Sequence, residues 1–446
     1  MRSNIEIKIG VKMRQKMLEF PRVKKRRVFV GFNGGEVTSD AGFLLLKQAD
    51  LQLRLISQVG NTFSDKRQKS KIKHEVVNML RQRVYAMACG YEDLNDHSNL
   101  RKDTVLQTSV NENKSLASPS TLCRLEKTAK RKIALYINKI LLETFIKSQK
   151  TAPKELILDF DPTDNIVHGK QEKAAYHGYY GSYCFLPLYV FCGTHLLVAY
   201  LRPSNQDPVK HSWAILSLIV KRLRQKWPNV KIIFRADSAF ARPQIFNWCE
   251  KNNVYYITGI GKNSRLKEIT KPFSEKTEEL FDATKSNQCI FTEFCYAAKT
   301  WTKERKIICK SEQNEHSSNL RLIVTNLEGK PESLYRDVYC ARGNMENRIK
   351  EQQLYLFADR TSSSFWWQNQ LRMLISSLAY VLVNHIRINA LKDTALEKAQ
   401  VHKIRLCLFK IGAVVVKNSY KILILFSSYY PFKNLFEFVY QKLVPS

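Results

Sequence analysis

Two short apolar runs that each end in an aspartate most constrain how this chain can fold. Leu156–Asp161 reads Leu-Ile-Leu-Asp-Phe-Asp, and Ile232–Asp237 reads Ile-Ile-Phe-Arg-Ala-Asp. Runs of this length, rich in branched and aromatic residues, are typical of buried β-strands. Pro162 directly follows Asp161, which favours a strand that ends there. An aspartate at a strand end is ordinarily a turn-former, so neither residue alone indicates a site.

The segments around these runs predict an α/β fold with a mixed sheet. From Glu155 the order is three strands, a helix, a strand, a helix and a strand, with a hairpin around Gly193–Thr194. In a mixed sheet of this order, the strands that carry Asp161 and Asp237 can be neighbours. Their ends would then bring both carboxylates within reach of one metal pair.

The charge of the chain points to a polyanionic partner. Its 446 residues carry 72 Lys and Arg against 40 Asp and Glu, a net charge of +32, and 44% of the residues are hydrophobic. The hydrophobic fraction excludes a purely basic tail, and the charge favours nucleic acid. A ribosomal-type RNA-binding protein and an anionic membrane surface are the alternatives. No membrane partner is expected, because no apolar stretch approaches the roughly 18 residues of a spanning helix.

The number and spacing of the cysteines indicate the redox environment of the protein. There are ten of them and no Cys-x-x-Cys pair, which argues against zinc ligation. A disulfide framework is not expected in a chain this large and basic. The sequence therefore predicts a reducing cytoplasm.

The chain divides into three predicted regions. Residues 1–150 are predicted as a mainly helical DNA-binding region, and residues 151–360 as the α/β domain. Residues 361–446 are predicted as a C-terminal helical and β segment that binds DNA or a second subunit. Residues 263–330 hold short strands interrupted by polar residues. A structureless loop of that length is uncommon, so they predict a small β-rich insertion.

A helix predicted to start at Ser118 carries a basic face. Ser118 at the cap and Pro119 in the first turn are helix-start signals. A solvated helix face is the common explanation of such a pattern. The alternative is a helix that lies on DNA, where basic side chains reach phosphates. The candidate DNA-binding residues of this helix are Arg124, Lys127, Arg131 and Lys132.

A third acidic residue, Glu346, lies at the start of a helical stretch. Arg342, Glu346 and Lys350 are spaced by four residues and share one helix face. Alone, this is an ordinary surface ladder of charges. Together with Asp161 and Asp237, Glu346 completes a set of hard oxygen donors, which Mg²⁺ prefers. A pair of such ions can activate water and stabilise a leaving oxygen in phosphoryl transfer.

The stretch Tyr339-x2-Arg342-x3-Glu346 resembles the Tyr-Arg-Glu signature of bacterial insertion-sequence DDE transposases. Further matches, spread from about residue 39 to 412, resemble the insertion-sequence family 1380 in particular. Their number and order make the resemblance specific. These matches are Ser39–Gly42, Gly90–Asp93, Leu158–Thr163, Tyr183–Pro187, Leu201–Pro203, Arg235–Phe240, Asp359–Ser362 and Leu408–Gly412.

The resemblance implies an RNase H-like catalytic domain, interrupted by the β-rich insertion before the glutamate helix. It implies a DDE transposase that cleaves the ends of an insertion sequence and joins them to target DNA. Asp161, Asp237 and Glu346 would be its catalytic and metal-binding residues, with two Mg²⁺ ions for which Mn²⁺ can substitute. The implied partners are double-stranded DNA, as terminal inverted repeats and target, and a second copy in a homodimer. The implied location is bacterial, cytoplasmic and nucleoid-associated.

Asp159 is an alternate metal ligand. It lies two residues before Asp161, so both side chains share one face of the strand. Asp161 is preferred because, with Thr163, it matches the Asp-x-Thr pattern of the family.

The cations near Glu346 depart from the family pattern. The related signature usually has a Lys seven residues after the glutamate, where this chain has Gln353. Lys350 is the nearest cation for a phosphate contact, and Arg342 would hold a phosphate or orient Glu346.

Trp301 is surrounded by cations in the segment 299–306. It is either an ordinary half-buried tryptophan or a platform for a displaced base beside the cleaved DNA end.

Two other functions compete with the transposase prediction. One is an RNase H-like nuclease without strand transfer. The other is a non-catalytic DNA-binding derivative of a transposase, against which the presence of all three acids argues.

Overall fold

A computed structural model describes residues 17–444, so residues 1–16 of the predicted N-terminal region and residues 445–446 lie outside the described part of the chain. A hairpin and a third strand come first, and seven helices follow. Their bounds are β1 (Leu18–Val23), β2 (Arg26–Val30), β3 (Glu36–Thr38), α1 (Phe43–Leu53), α2 (Leu55–Gly60), α3 (Val76–Ala88), α4 (His97–Leu100), α5 (Thr104–Ser109), α6 (Pro119–Glu126) and α7 (Arg131–Ser148). From α1 to α7 this region is mainly helical.

The middle of the chain forms an eight-stranded mixed sheet, which confirms the predicted α/β class. Its elements and their companions are β4 (Glu155–Pro162), β5 (Asn165–Ile166), β6 (Ala175–His177), β7 (Ser182–Phe185), β8 (Leu188–Cys192), β9 (His195–Tyr200), α8 (Ser212–Lys226), β10 (Lys231–Ala236), α9 (Pro243–Lys251), β11 (Tyr255–Gly259), α10 (Ser264–Thr284), β12 (Gln288–Tyr296), β13 (Arg305–Gln313) and β14 (Ser318–Thr325). The strand order is β12-β13-β14-β11-β10-β4-β8-β9, and β5, β7 and β6 form a small separate sheet.

The strands that carry the two aspartates are neighbours, as predicted. β10 lies between β4 and β11 and runs parallel to both, and β8 and β9 form the expected antiparallel hairpin. Alternate residues of β10 enter different cores because successive side chains of a strand point to opposite faces. Ile232 and Phe234 join the large core beneath α8 and α9, and Ile233 joins a smaller core with Leu334 and Tyr335.

The prediction of a separate β-rich unit at residues 263–330 was wrong in two respects. The segment begins with the 21-residue helix α10, whose first turn is capped by Asn263. Its three strands then continue the central sheet, since β14 pairs with β11 through Thr325 and Ile257. The helix is hard to recognise in the sequence because it contains Pro272 and buries few side chains.

The last part of the chain returns to the N-terminal helices. Its elements are α11 (Pro331–Ser333), a π-helical turn (Leu334–Tyr339), α12 (Gly343–Lys350), a second π-helical turn (Glu351–Tyr355), α13 (Trp366–Ala390), α14 (Val401–Ile404), a third π-helical turn (Arg405–Phe409), β15 (Ala413–Lys417), β16 (Ile422–Phe426) and α15 (Lys433–Leu443). β15 pairs with β3, and α13 packs against α3 and α7. Side chains from both sides of the predicted boundaries at residues 150 and 360 therefore share a core. These boundaries do not mark independently packed domains.

Helix α13 is the central helix of the larger core. By length and composition it is apolar enough to cross a membrane, with a mean hydropathy of 1.2 over 18 residues. The statement that no apolar stretch approaches about 18 residues was therefore wrong for this helix. In the fold, 78% of that window is buried against the rest of the protein, which accounts for its apolar character without a membrane.

The junction between the two ends of the chain predicts a severe effect at Gly42. The Gly42 backbone N–H donates to the carbonyl oxygen of Phe409, and a Cβ at Gly42 would overlap the backbone of Leu408 and Phe409. We expect Gly42→Ala to destabilise the protein by about 1–3 kcal/mol, as overpacking of a tight contact does. Denaturant unfolding measures this loss.

Gly34→Ala is the matched control, because a Cβ at Gly34 meets no atom within 4 Å. Equal stability of the Gly42 and Gly34 variants would contradict the tight junction.

Candidate active site

Asp161 and Asp237 lie side by side because their strands are parallel neighbours in register. Asp159 pairs with Arg235 and Phe160 with Ala236, so Asp161 and Asp237 come next in the same register. Adjacent strands lie about 4.8 Å apart. Both carboxylates therefore stand at the edge of the sheet where β4 and β10 end.

The backbone after β10 fixes the Asp237 carboxylate. Its Oδ1 accepts a hydrogen bond from the Ala239 backbone N–H at 3.0 Å, at the start of a single 3₁₀ turn. Gly259, at the end of β11, leaves room for this turn. A Cβ at Gly259 would lie 2.8 Å from Tyr339 Oη and 3.1 Å from the Ser238 nitrogen. The missing side chain lets both elements close over the strand end.

Arg342 joins the third carboxylate to the first. Its Nη1 lies 3.2 Å from Asp161 Oδ1, and its Nη2 lies 2.8 Å from Glu346 Oε1. The Arg342 and Asp161 side chains are 20% and 13% exposed, whereas Glu346 is 45% exposed at the mouth of the site. This contact fits the predicted role of Arg342 in orienting Glu346.

The site is short of positive charge. Burial, opposed by Arg342 and reinforced by the carboxylates of Asp237 and Glu346, raises the pKa of Asp161 to about 7. Burial also raises the pKa of Asp237, against the hydrogen bonds from the Ala239 and Phe240 backbone. Crowded, buried carboxylates of this kind favour a nearby cation, because each one disfavours the charge of the others.

Asp159 belongs to a buried ion pair. Its two oxygens accept from Arg235 Nε at 2.5 Å and Nη2 at 2.8 Å, and the Asp159 and Arg235 side chains are 4% and 7% exposed. Arg235 Nη1 also donates to the Val338 carbonyl oxygen at 2.5 Å. Asp159 therefore holds β4, β10 and the segment leading to Arg342 together, and its oxygens are already occupied.

A second buried network fixes the helix that carries Glu346. Glu351 is fully buried and accepts from Arg348 at 2.8 Å and from Arg387 of α13 at 2.6 Å. Breaking such a pair leaves an uncompensated buried charge, which is strongly destabilising. The position of α12 therefore depends on the central helix.

Gln353 has a role that the sequence analysis missed. It occupies the place of the family lysine, and its Nε2 donates to the Asp164 carbonyl oxygen at 2.8 Å and to Thr163 Oγ1 at 3.2 Å. It also donates to Asn165 Oδ1 at 3.1 Å. The residue thus ties the end of the glutamate helix to the loop after Asp161. The signal in the sequence was its place seven residues after Glu346, where the resembling signature has a lysine.

The carboxylate oxygens of the site are of the chemical type that binds a divalent metal ion. Asp161, Asp237 and Glu346 offer hard oxygens, and the Arg342 guanidinium shows that a cation is favourable between two of them. Within residues 17–444, no group of three or more His, Cys, Asp or Glu side chains forms a ready metal site in this arrangement. An ion that bridges Asp161 and Glu346 would have to displace the guanidinium.

The predicted DNA-binding cations lie on exposed surface, but the basic helix is broken. α6 ends at Glu126 and α7 starts at Arg131, and Glu126 is buried and paired with Arg372 at 2.8 Å. Lys350 is exposed on α12. The four predicted cations of α6, α7 and the turn between them are exposed, and none of them forms an ion pair within the described chain; they are Arg124, Lys127, Arg131 and Lys132.

Trp301 lies away from the carboxylates, contrary to its predicted place beside the cleaved end. It sits in the turn between β12 and β13, at the sheet edge opposite to Asp237. Its ring packs edge-on against Phe246 and Tyr296, with both ring centroids 5.6 Å away, and Arg305 lies over it. Arg305 is in turn paired with Glu250 at 2.8 Å, so the aromatic cluster and its cation are a packing unit.

A comparison with known protein families shows to which family the chain belongs. The family described as Transposase DDE domain group 1 matches residues 20–446. The chain belongs to this family. The narrower resemblance to the insertion-sequence family 1380 remains a prediction.

One solved structure similar to this DDE transposase domain is the piggyBac transposase synaptic complex with hairpin DNA, determined by cryo-EM. The two chains are 11% identical over 83% of this chain and 80% of that one, with a TM-score of 0.43. A comparison with curated proteins finds no match.

The different surroundings of Asp159 and Asp161 predict effects of different size on stability. Asp159→Asn should destabilise the DDE domain by about 3–5 kcal/mol, because Arg235 would keep a buried, unpaired charge. Asp161→Asn should change stability by no more than about 1 kcal/mol. In this variant Arg342 would keep a carboxylate partner, Glu346 at 2.8 Å, so its charge would not be left unpaired.

Chemical denaturation of both variants at pH 8 without divalent metal gives the comparison. An equal loss of stability in the two variants would mean that Asp159 and Asp161 have the same structural role.

Proposed function

We propose that this protein is a metal-dependent DNA transposase that cleaves the ends of its element and joins the freed 3′ ends to target DNA. Asp161, Asp237 and Glu346 are its proposed catalytic residues. The observation that carries the proposal is the convergence of these carboxylates: two on parallel neighbouring strands and one on a helix tied to them through Arg342. We also infer that the central sheet with its helices is RNase H-like, which its mixed strand order supports.

Asp161, Asp237 and Glu346 would hold two divalent ions, Mg²⁺ or Mn²⁺. Bound ions of this kind activate a water or hydroxyl nucleophile and stabilise the leaving oxygen. The side chains of this protein position the ions and the DNA, and no protein nucleophile is required. Arg342 keeps Glu346 turned toward Asp161, and Lys350 on the exposed side of the same helix is available for a DNA phosphate.

Double-stranded DNA is the proposed partner, as terminal repeats and as target. The net charge of +32 and the exposed cations on α6 and α7 support this. Phosphate contacts from these helices would hold the terminal repeats while the carboxylates act on their ends. A homodimer in the DNA complex and a nucleoid-associated location belong to the same proposal.

The proposed chemistry predicts a loss of cleavage without a loss of binding. Asp161→Asn, Asp237→Asn and Glu346→Gln should each abolish Mg²⁺-dependent cleavage of terminal-repeat DNA, because each removes one ligand charge with little change in shape. Binding of the same DNA in Ca²⁺ should remain within about threefold, since phosphate contacts carry most of the affinity. Gel assays of cleavage and fluorescence anisotropy measure the two properties.

Glu293→Gln on β12 is the control, as Glu293 is half-exposed and outside the site. Full cleavage by any one of the three variants would remove that residue from the site. Cleavage without joined products would favour a nuclease. DNA binding without cleavage by the unaltered protein would favour a non-catalytic derivative.

The N-terminal cations predict a change in the salt dependence of binding. Replacing Arg124, Lys127, Arg131 and Lys132 by Ala should flatten the plot of log affinity against log salt by up to about 0.9 for each phosphate that is no longer neutralised. The full-length protein is required, because these helices share a core with α13. A variant with Lys271 of α10 and Lys285, the residue after α10, changed to Ala serves as the control. An equal slope in the two variants would mean that the DNA does not contact the N-terminal cations.

A further inference from the structure

The sheet edge that carries the two aspartates continues onto β11 and β14. The last pair of residues that joins β10 to β11 comes directly before Asp237 and Gly259, so these two residues stand at the same level. β14 runs antiparallel to β11 and pairs Ile323 with Gly259. Because β14 runs in the opposite direction, Arg321 lies two residues beyond the end of β11. It therefore stands above the edge where the aspartates lie.

Arg321 belongs to the same face of the sheet as Asp237. Side chains on one face of a strand recur every second residue, so Arg321 shares the face of Ile323, and Asp237 shares the face of Ile233. Ile233 and Ile323 are members of one small core, against which Tyr339 packs. The cation and the aspartate therefore lie on the side of the sheet that is covered by the segment leading to the glutamate helix.

The ring of Tyr339 lies near both charged groups. A Cβ at Gly259 would lie 2.8 Å from Tyr339 Oη, which places this hydroxyl at the end of β11. Burial raises the pKa of Tyr339, the positive charges of Arg342 and Arg321 oppose this effect, and the negative charge of Asp237 adds to it. Arg321 and Asp237 are thus both within electrostatic reach of one aromatic side chain.

The charge of Arg321 is not matched by a neighbouring carboxylate. Arg321 is exposed and forms no ion pair within residues 17–444. Two nearby cations are engaged: Lys310, its cross-strand neighbour, pairs with Glu312 at 2.6 Å, and Arg336 pairs with Glu332 at 2.8 Å. A solvated arginine is common on protein surfaces, but this one stands beside a site whose proposed substrate is a polyanion. Its guanidinium is free to bind an oxyanion there.

We propose that Arg321 binds a DNA phosphate close to the phosphate that reacts at the carboxylates. Two strand spacings of about 4.8 Å and two residue steps of about 3.3 Å separate Asp237 from Arg321. The charges of one DNA strand follow one another at about 3.4 Å along the axis, so the bound phosphate is roughly two to four nucleotides from the reacting one. The guanidinium fork matches two phosphate oxygens.

This inference rests on the proposed function and adds to it a phosphate-binding site outside the three carboxylates. Lys262, exposed in the loop after β11, is available at the same edge for an adjoining phosphate. The element end and the target DNA both present such phosphates, and the experiment distinguishes these two sources.

A methylphosphonate scan tests the contact, because this substitution removes the charge of a single DNA phosphate. Duplexes from the inverted repeats flanking the gene carry it at each position near the cut in turn, and fluorescence anisotropy in Ca²⁺ measures binding by the full-length protein. We expect one position to weaken binding by the unaltered protein about tenfold, as loss of a charge-assisted hydrogen bond does. Arg321→Ala should bind about tenfold more weakly and be insensitive at that position. Arg321→Lys should keep part of the sensitivity, since it retains the charge without the fork.

A second scan places the methylphosphonates in target DNA. Its readout is the joining of precut ends in Mg²⁺. Sensitivity that Arg321→Ala removes in the first scan assigns the phosphate to the element end, and sensitivity that it removes in the second assigns the phosphate to the target. Either result supports the site.

Lys276→Ala is the matched control. Lys276 is exposed on α10 and has no ion pair in the described chain, and α10 packs on the opposite face of the sheet, where Thr277 donates to Ser311 at 3.0 Å. This variant should keep the profile of the unaltered protein in both scans. Thermal unfolding verifies that all variants are folded, and a change confined to one phosphate is not produced by general destabilisation.

Identical profiles of Arg321→Ala and the unaltered protein in both scans would overturn this inference. The proposed function would still stand if the unaltered protein cleaves the repeats in Mg²⁺. Failure of the unaltered protein to cleave them would instead count against the proposed function, whatever the binding scan in Ca²⁺ shows.

Discussion

The buried ion pair between Asp159 and Arg235 is the interaction on which the geometry of the site depends. It joins the two central strands side chain to side chain, and through the Val338 carbonyl it reaches the segment that delivers Arg342. Such a pair is not in itself strong evidence of stability, because desolvation offsets much of its attraction. Its role here is geometric, because a bidentate arginine fixes the relative position of three chain segments.

The helix with Glu346 is fixed from the other side by charges that are also buried. Glu351 is held by Arg348 and by Arg387 of α13, and α13 is the central helix of a core shared by both ends of the chain. The first turn of α12 therefore faces the sheet while its last turn is tied to the central helix. Glu346 remains half-exposed between these two constraints, with Arg342 as its partner.

Arg342 gives the carboxylates a partner within the protein itself. Three acidic groups near one another in a partly buried site repel, and the raised pKa of Asp161 expresses that repulsion and its burial. The guanidinium offsets it. The same guanidinium lies between Asp161 and Glu346, so it supplies part of the positive charge that these carboxylates favour.

The sequence by itself determined the strands, the aspartates at their ends, the helix glutamate and the basic character of the chain, because these depend on local periodicity and composition. Tertiary structure decided that Asp159, and not Asp161, forms the ion pair with Arg235, since Arg235 lies 76 residues from Asp159 along the chain. It also merged the predicted insertion into the main sheet, placed Trp301 at the far edge, and gave Gln353 its contacts with the loop after β4. Each of these outcomes rests on pairing between residues distant in sequence, which no local pattern records.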